Sequence, residues 1–190
     1  MKKDIILAGV GGQGILTIAA IIDWAALSNK LNIKQAEVHG MSQRGGDVQS
    51  HLRISSEEIY SDLIAKGSAD VILAVEPMEA LRYLPYLSEK GVVITSDKPY
   101  KNITNYPSEE VLMAELDRLP NKQIIDADLH AKAAGSLKSS NIVMLGAASK
   151  YLEIPEESLL AGIEELFKRK GAEMVEMNQK AFMLGKSVVN

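Results

Sequence analysis

The segment Gly9-Val10-Gly11-Gly12-Gln13-Gly14 constrains this chain more than any other, because it stands between two strongly apolar stretches. Asp4 to Val10 is a short, isoleucine-rich run ended by glycines, the pattern of a buried strand. From Ile15 to about Leu27 the only strongly polar side chains are Thr17 and Asp23. That predicts a helix apolar on more than one face, which must be covered on several sides. One side would lie on a sheet, and the other is available to a partner subunit.

Lys2 and Lys3 ahead of the run from Ile5 to Ile22 imitate a signal peptide. Each interior glycine costs a helix roughly 1 kcal/mol relative to alanine, so a continuous apolar helix is poorly supported there. With no second long apolar run the chain reads as cytoplasmic, with no membrane-spanning segment.

Further strands are predicted at Lys34 to Val38, Val48 to Ile54, Asp70 to Val75, Gly91 to Thr95 and Gln123 to Ile125. Glu57 to Tyr60 reads as a turn and short returning strand, making this stretch a hairpin-like addition. Pro77 should open a helix running to about Leu87, since proline at a first helical turn leaves no N–H unpaired. Asp97 to Pro107 is the longest irregular stretch. The remainder is predicted helical, over Ile142 to Leu152, Pro155 to Lys170 and Glu173 to Lys186. Glu156 and Glu157 begin the second of these and Lys168, Arg169 and Lys170 end it, as the helix dipole favours. Strands alternating with helices imply one three-layer α/β/α domain over residues 1–190, with a mainly parallel, Rossmann-like sheet.

The glycine segment satisfies GxGxxG at a strand-to-helix turn, where backbone N–H groups can meet a phosphate. Glu37, near the end of the second strand, stands where an acidic residue would hold the ribose of NAD. The same glycines could equally serve close packing alone. In His39-Gly40-Met41-Ser42-Gln43-Arg44-Gly45-Gly46, Arg44 offers a planar fork of donors to a carboxylate or phosphate. That loop would sit at the carboxyl end of the sheet if the second strand runs parallel to the first. A tight turn with a solvated arginine is the plainer alternative.

His39, His51 and His130 have no metal-ligand spacing, and neither GxSxG nor a P-loop occurs. No metal site and no catalytic residue is assigned. The chain has 0 cysteines, which excludes disulfides, thiol catalysis and any iron–sulfur cluster held through its own thiolates. A net charge of -4 gives no global attraction to nucleic acid or anionic membranes, although a local basic patch is compatible with it.

Five ordered pieces carry a resemblance: GVGGQGILT, HGMSQRGGDVQSHLRIS, EPMEALRYL from Glu76, NIVMLGA from Asn141, and NQKAF with Gly185. Together they resemble the gamma subunit or domain of the 2-oxoacid:ferredoxin oxidoreductases, nearest to the indolepyruvate branch. The resemblance implies an accessory subunit, inactive alone, in a complex that converts a 2-oxoacid, coenzyme A and oxidised ferredoxin to acyl-CoA, CO2 and reduced ferredoxin. Thiamine diphosphate and [4Fe–4S] clusters would sit on a catalytic partner subunit, and ferredoxin would be met through the complex. In isolation the chain could form a homo-oligomer. The family's glycine loop corresponds to Gly9, Gly11, Gly12, Gln13 and Gly14, and its Arg-Gly-Gly loop to Arg44, Gly45 and Gly46, with Ser42 just ahead of it. These are the candidate cofactor-binding residues, with coenzyme A at the subunit interface as their ligand. Met41, Ser42 and Gln43 depart from the YGPExRGG pattern of relatives acting on pyruvate or 2-oxoglutarate. The alternatives are a self-sufficient NAD-dependent oxidoreductase and a purely structural assembly subunit.

Overall fold

In the computed structural model, which describes residues 1–39 and 45–189, the apolar runs become one six-stranded sheet. Its strands are β1 (Lys2–Val10), β2 (Asn32–His39), β3 (Asp47–Ser55), β4 (Ala69–Ala74), β5 (Leu87–Ser96) and β6 (Lys122–Ile125), in the order β2-β3-β1-β4-β5-β6. β1, β4, β5 and β6 are parallel. β3 is antiparallel to both β1 and β2, so β2 runs in the direction of β1 and only β3 opposes the rest.

The hairpin addition is therefore β2 with β3. Glu57 to Tyr60 forms no strand, contrary to the sequence expectation. Both edges of β3 are already taken, by β1 and β2, and no ladder is left for a returning segment.

Strand side chains alternate between two cores, as the pleat requires. Ile5, Leu7, Val71, Leu73 and Ile94 enter the larger core, and Ile6, Ala8, Ile72, Ala74 and Val93 the smaller. Burial on both faces explains why these strands read as continuous apolar runs. The thick helical layer holds α1 (Ile15–Ser28), α4 (Ala127–Ala134), α5 (Ser140–Leu152), α6 (Glu156–Phe167) and α7 (Ala172–Ser187). The thin layer holds α2 (Pro77–Arg82), α3 (Glu109–Asp117) and Ile64.

α2 stops at Arg82 rather than near Leu87. Pro85 cannot donate to a helical ladder, and a single 3₁₀ turn over Leu84–Tyr86 leads straight into β5. α3 was not anticipated; its start is marked by Ser108, whose hydroxyl accepts from Val111 N, with Glu109 and Glu110 in the first turn. The second side of α1 is covered within the chain: a Cβ at Gly162 on α6 would press on the Ile21 carbonyl and come into contact with Trp24. Leu16, Trp24 and Leu27 remain exposed. α5 and α7 cross so closely that a Cβ at Gly146 would overlap the Phe182 carbonyl, and one at Gly185 the Val143 carbonyl. Among the described residues no helix is long and apolar enough to cross a membrane.

Candidate functional site

At the carboxyl end of β1 the chain turns on itself. Val10 N donates to Gln13 Oε1 at 2.7 Å, and Gln13 N returns to Val10 O at 3.1 Å. The glycines around this closure do different work. A Cβ at Gly9 would strike Val75 and Ile15, so Gly9 is there for packing. Gly14, at φ 80, caps α1 and lies under the Asn141 amide, which donates to its carbonyl at 3.1 Å. Gly12, at φ +102, has open space where a Cβ would be.

The second glycine segment is joined to the first by backbone alone. Gly11 N donates to Gly46 O at 2.8 Å and Gly45 N to Gly11 O at 3.3 Å. The two segments singled out in the sequence thus meet at the carboxyl ends of β1 and β2. Ser42 and Arg44 lie outside the described residues.

Beside this junction, beyond the ends of β1, β4 and β5, a cleft of about 780 Å³ opens; Gly12, Gly14, Val75, Ser96 and Asn141 line its base. Ligands of open α/β sheets bind at this end of the strands. The helices α1 and α5 both begin at the cleft, and neither start has a side-chain cap or an acidic residue in its first turn. Their N–H groups and dipoles favour an anion. Lys98, Lys138 and Lys170 stand on the walls, with Asp128 as an opposing charge. Lys98 bridges Asp97 at 3.2 Å and Asp126 at 3.4 Å. The hydrogen bond that the Lys98 ammonium donates to Asp97, followed by the Asp97 charge, holds the ammonium above its ordinary range. Met144, Met174, Met177 and Phe167 make another wall apolar and polarizable. Lys170 Nζ stands 5.3 Å from the centroid of the Phe167 ring, so charged and apolar lining interleave and the cleft suits a ligand that carries both anionic groups and an apolar or flat part.

Sequence reasoning did not place Lys98, Lys138, Lys170 or Asn141 at a site. They arrive from three separate segments, Lys138 and Asn141 together at the start of α5, and only the fold brings them to the glycine loop. Two of the quoted pieces, NIVMLGA and NQKAF with Gly185, carried a signal: Asn141 and Asn178 line the cleft, while Gly146 and Gly185 make the α5–α7 crossing.

Glu37 shares a second hollow, of about 460 Å³, with Gly11, Gly12, Gly14, Ile15, Leu16 and Val48. β3 separates β2 from β1, so β1-α1-β2 lacks the adjacent parallel strands of a dinucleotide unit. His51 is buried; its Nδ1 accepts from Ile64 N at 3.1 Å, and burial, then the Arg53 charge, keep it below the usual histidine range. Among the described residues no group of three or more acidic or histidine side chains could hold a metal. Burial pushes the Asp23 carboxyl on α1 up to about 6, and its Oδ1 is buried without a hydrogen-bond partner.

The family model for pyruvate ferredoxin/flavodoxin oxidoreductase matches residues 4–188. Indolepyruvate oxidoreductase subunit IorB of Thermococcus kodakarensis is 37% identical, over 97% of this chain and 95% of its own. The keto/oxoacid ferredoxin oxidoreductase gamma subunit of Geobacter sulfurreducens, a solved structure, is similar with a TM-score of 0.66 and 25% identity, over 97% of this chain and 96% of that one. The fold also recurs in the 2-oxoglutarate:ferredoxin oxidoreductase of Magnetococcus marinus, solved with 2-oxoglutarate, coenzyme A and succinyl-CoA bound, at a TM-score of 0.76 and 24% identity. There the match covers 98% of this chain but 31% of the larger chain, as one portion of it. With the family model spanning nearly every residue and relatives matching end to end, the chain belongs to the pyruvate ferredoxin/flavodoxin oxidoreductase family and has the length of its separate subunits.

Proposed function

We propose that this chain is the cluster-free accessory subunit of a 2-oxoacid:ferredoxin oxidoreductase acting on indolepyruvate or another aryl pyruvate in the cytoplasm. On this reading residues 1–190 work as one gamma-type unit, and the partner subunit carries thiamine diphosphate and [4Fe–4S] clusters and passes electrons to ferredoxin. The substrate assignment is supported by the similarity to indolepyruvate oxidoreductase subunits. A chain without cysteine cannot hold such clusters through thiolates, and its composition fits that division of labour.

The cleft is the observation that carries the reading further. Coenzyme A supplies the thiol that accepts the acyl group. It has phosphates for Lys98, Lys138, Lys170 and the starts of α1 and α5, and a flat base for the wall of Met144, Met174, Met177 and Phe167. What this chain's own residues do is bind and orient: the lysines neutralise phosphate charge, and the helix starts fix its position. Of the candidate residues, Gly12, Gln13 and Gly14 line the cleft, Gly9 packs beneath them, Gly11 ties them to Gly45 and Gly46, and Ser42 and Arg44 belong to the same loop in sequence.

The test is the reconstituted complex carrying Lys98→Ala with Lys170→Ala. The KM for coenzyme A should rise about tenfold, equivalent to about 1.4 kcal/mol of lost binding, with the 2-oxoacid KM unchanged. An unchanged coenzyme A requirement in an assembled complex would place that ligand elsewhere.

A further inference from the structure

Glu76 has no exposed surface at all, yet it is a carboxylate, and neither the cleft chemistry nor the core explains it. Burying a carboxylate costs several kcal/mol unless its oxygens are hydrogen-bonded. Capping α2 accounts for one oxygen only: Oε2 accepts from Glu79 N at 2.9 Å. A serine or aspartate would cap as well with less to bury. The other oxygen reaches across to the irregular stretch after β5, where Oε1 accepts from Tyr100 N at 3.1 Å and from the Tyr106 hydroxyl.

Between those two attachment points lies Asn102, whose Nδ2 donates to Gly45 O at 2.8 Å. Leading into the first of them, Lys98 and Pro99 line the cleft together with Tyr100 itself. One buried carboxylate therefore grips both ends of a short segment that faces the cleft on one side and supports the second glycine segment on the other. The charged neighbours are otherwise engaged: Glu79 pairs with Arg82 at 2.8 Å, and Asp47 accepts from the Tyr83 hydroxyl at 3.3 Å. Burial, then the bond to Glu76, hold the Tyr106 phenol above its ordinary range, so it stays a donor.

We infer that Glu76 is a positioning residue: it holds the 97–107 segment where that segment is both the Lys98 wall of the cleft and the support of Gly45 and Gly46. This rests on the reading of the cleft as the coenzyme A site. Glu76 touches no ligand; it acts through Tyr100, Tyr106 and Asn102.

The experiment uses the reconstituted complex with Glu76→Gln, Tyr106→Phe and Asn102→Ala, assayed alongside the Lys98→Ala, Lys170→Ala variant. Glu76→Gln and Tyr106→Phe should each raise the coenzyme A KM about three- to tenfold, with kcat and the 2-oxoacid KM within twofold. Amide hydrogen exchange should quicken in residues 97–107 and not in α5 or α7. Tyr106→Phe keeps the carboxylate and the ring, so it decides the matter should Glu76→Gln fail to assemble. If the lysine variant raises the coenzyme A KM but Tyr106→Phe and Asn102→Ala leave it unchanged, the positioning role is wrong and the cleft assignment survives. If the lysine variant has no effect, the cleft assignment itself is wrong.

Discussion

The crossing of α5 and α7 and the rim of the cleft around residues 9–14 and 45–46 are both built on glycine, and they use it in opposite ways. At the crossing, Gly146 and Gly185 bring two backbones together, and a methyl group on either would enter a carbonyl. At the rim, Gly12 and Gly45 have positive φ and nothing within 4 Å of where a Cβ would stand. Polar groups divide the same way. Ser149 and Asn178 in α5 and α7 donate to carbonyls of their own helices, whereas Asp23, Gln49, Asp97 and Asn102 each keep a buried oxygen without a partner. The crossing is finished as a solid core. Outside the crossing these four side chains keep unused hydrogen-bonding capacity, as on a surface that is completed by a ligand or a partner.

Gly185→Ala should do the most damage. Its methyl would meet the backbone of Val143, which cannot move without shifting α5, so a loss of about 3–5 kcal/mol is expected. Chemical denaturation of the isolated chain measures it. A loss under about 1 kcal/mol would mean that the crossing is looser than described.

Gly14→Ala stands between the two regions, having a positive φ and also a neighbour, the Asn141 amide. Left-handed strain of roughly 1–2 kcal/mol plus a broken hydrogen bond of about 1 gives an expected loss of about 2–3 kcal/mol. Asn141→Ala should relieve the contact, so the double variant should lose less than the sum of the two single losses. Strict additivity would show that the Gly14 and Asn141 contact is not the cause.

The contrast also shows what can be read from sequence. Continuous apolar runs such as Asp70 to Val75 announced buried strands because both faces of the sheet are covered, and the strand–glycine–helix order announced the parallel unit. The pairing of β3 between β1 and β2 was not legible, since an alternating run states which side chains share a face and not which strand lies beside it. Gly9, Gly12 and Gly185 are the same letter, and only the atoms around each one separate packing from opening. Lys98 and Lys170 looked like ordinary surface and helix-end lysines, because the cleft joins segments far apart in the chain. Glu76 was visible within EPMEALRYL, yet a helix start was all that position could announce.

Asp23 tests whether the unpaired groups outside the crossing carry a measurable cost. Its carboxyl is raised from 3.8 to about 6 by burial alone. Between these values the folded chain binds more protons than the unfolded one, so stability should fall as pH rises from about 4 to about 6 and stay lower above that. A shift of this size corresponds to at most about 3 kcal/mol, and solvent screening at a partly exposed site reduces it to about 1–2. Asp23→Asn should match the wild type near pH 4 and exceed it by that amount at pH 7, raising Tm by a few degrees. An equal or lower Tm at pH 7 would show that the charge is already satisfied. In the assembled complex the advantage should shrink if a partner group completes Asp23.

Gly12→Ala should cost folding the least and is the sharpest probe of the rim. Its methyl has room, so only the backbone conformation at φ +102 resists it, at about 1–2 kcal/mol. The glycine loop has two readings, packing and ligand contact, and this position separates them. If the loop only packs, the isolated chain loses that small stability and the reconstituted complex keeps its KM for coenzyme A. If the loop is a floor on which a phosphate rests, a methyl at the open Gly12 beside the start of α1 takes space from the ligand, and the KM should rise several-fold while kcat holds. Steady-state kinetics read beside a denaturation curve distinguish the two, because a folding defect lowers the amount of active complex without moving KM.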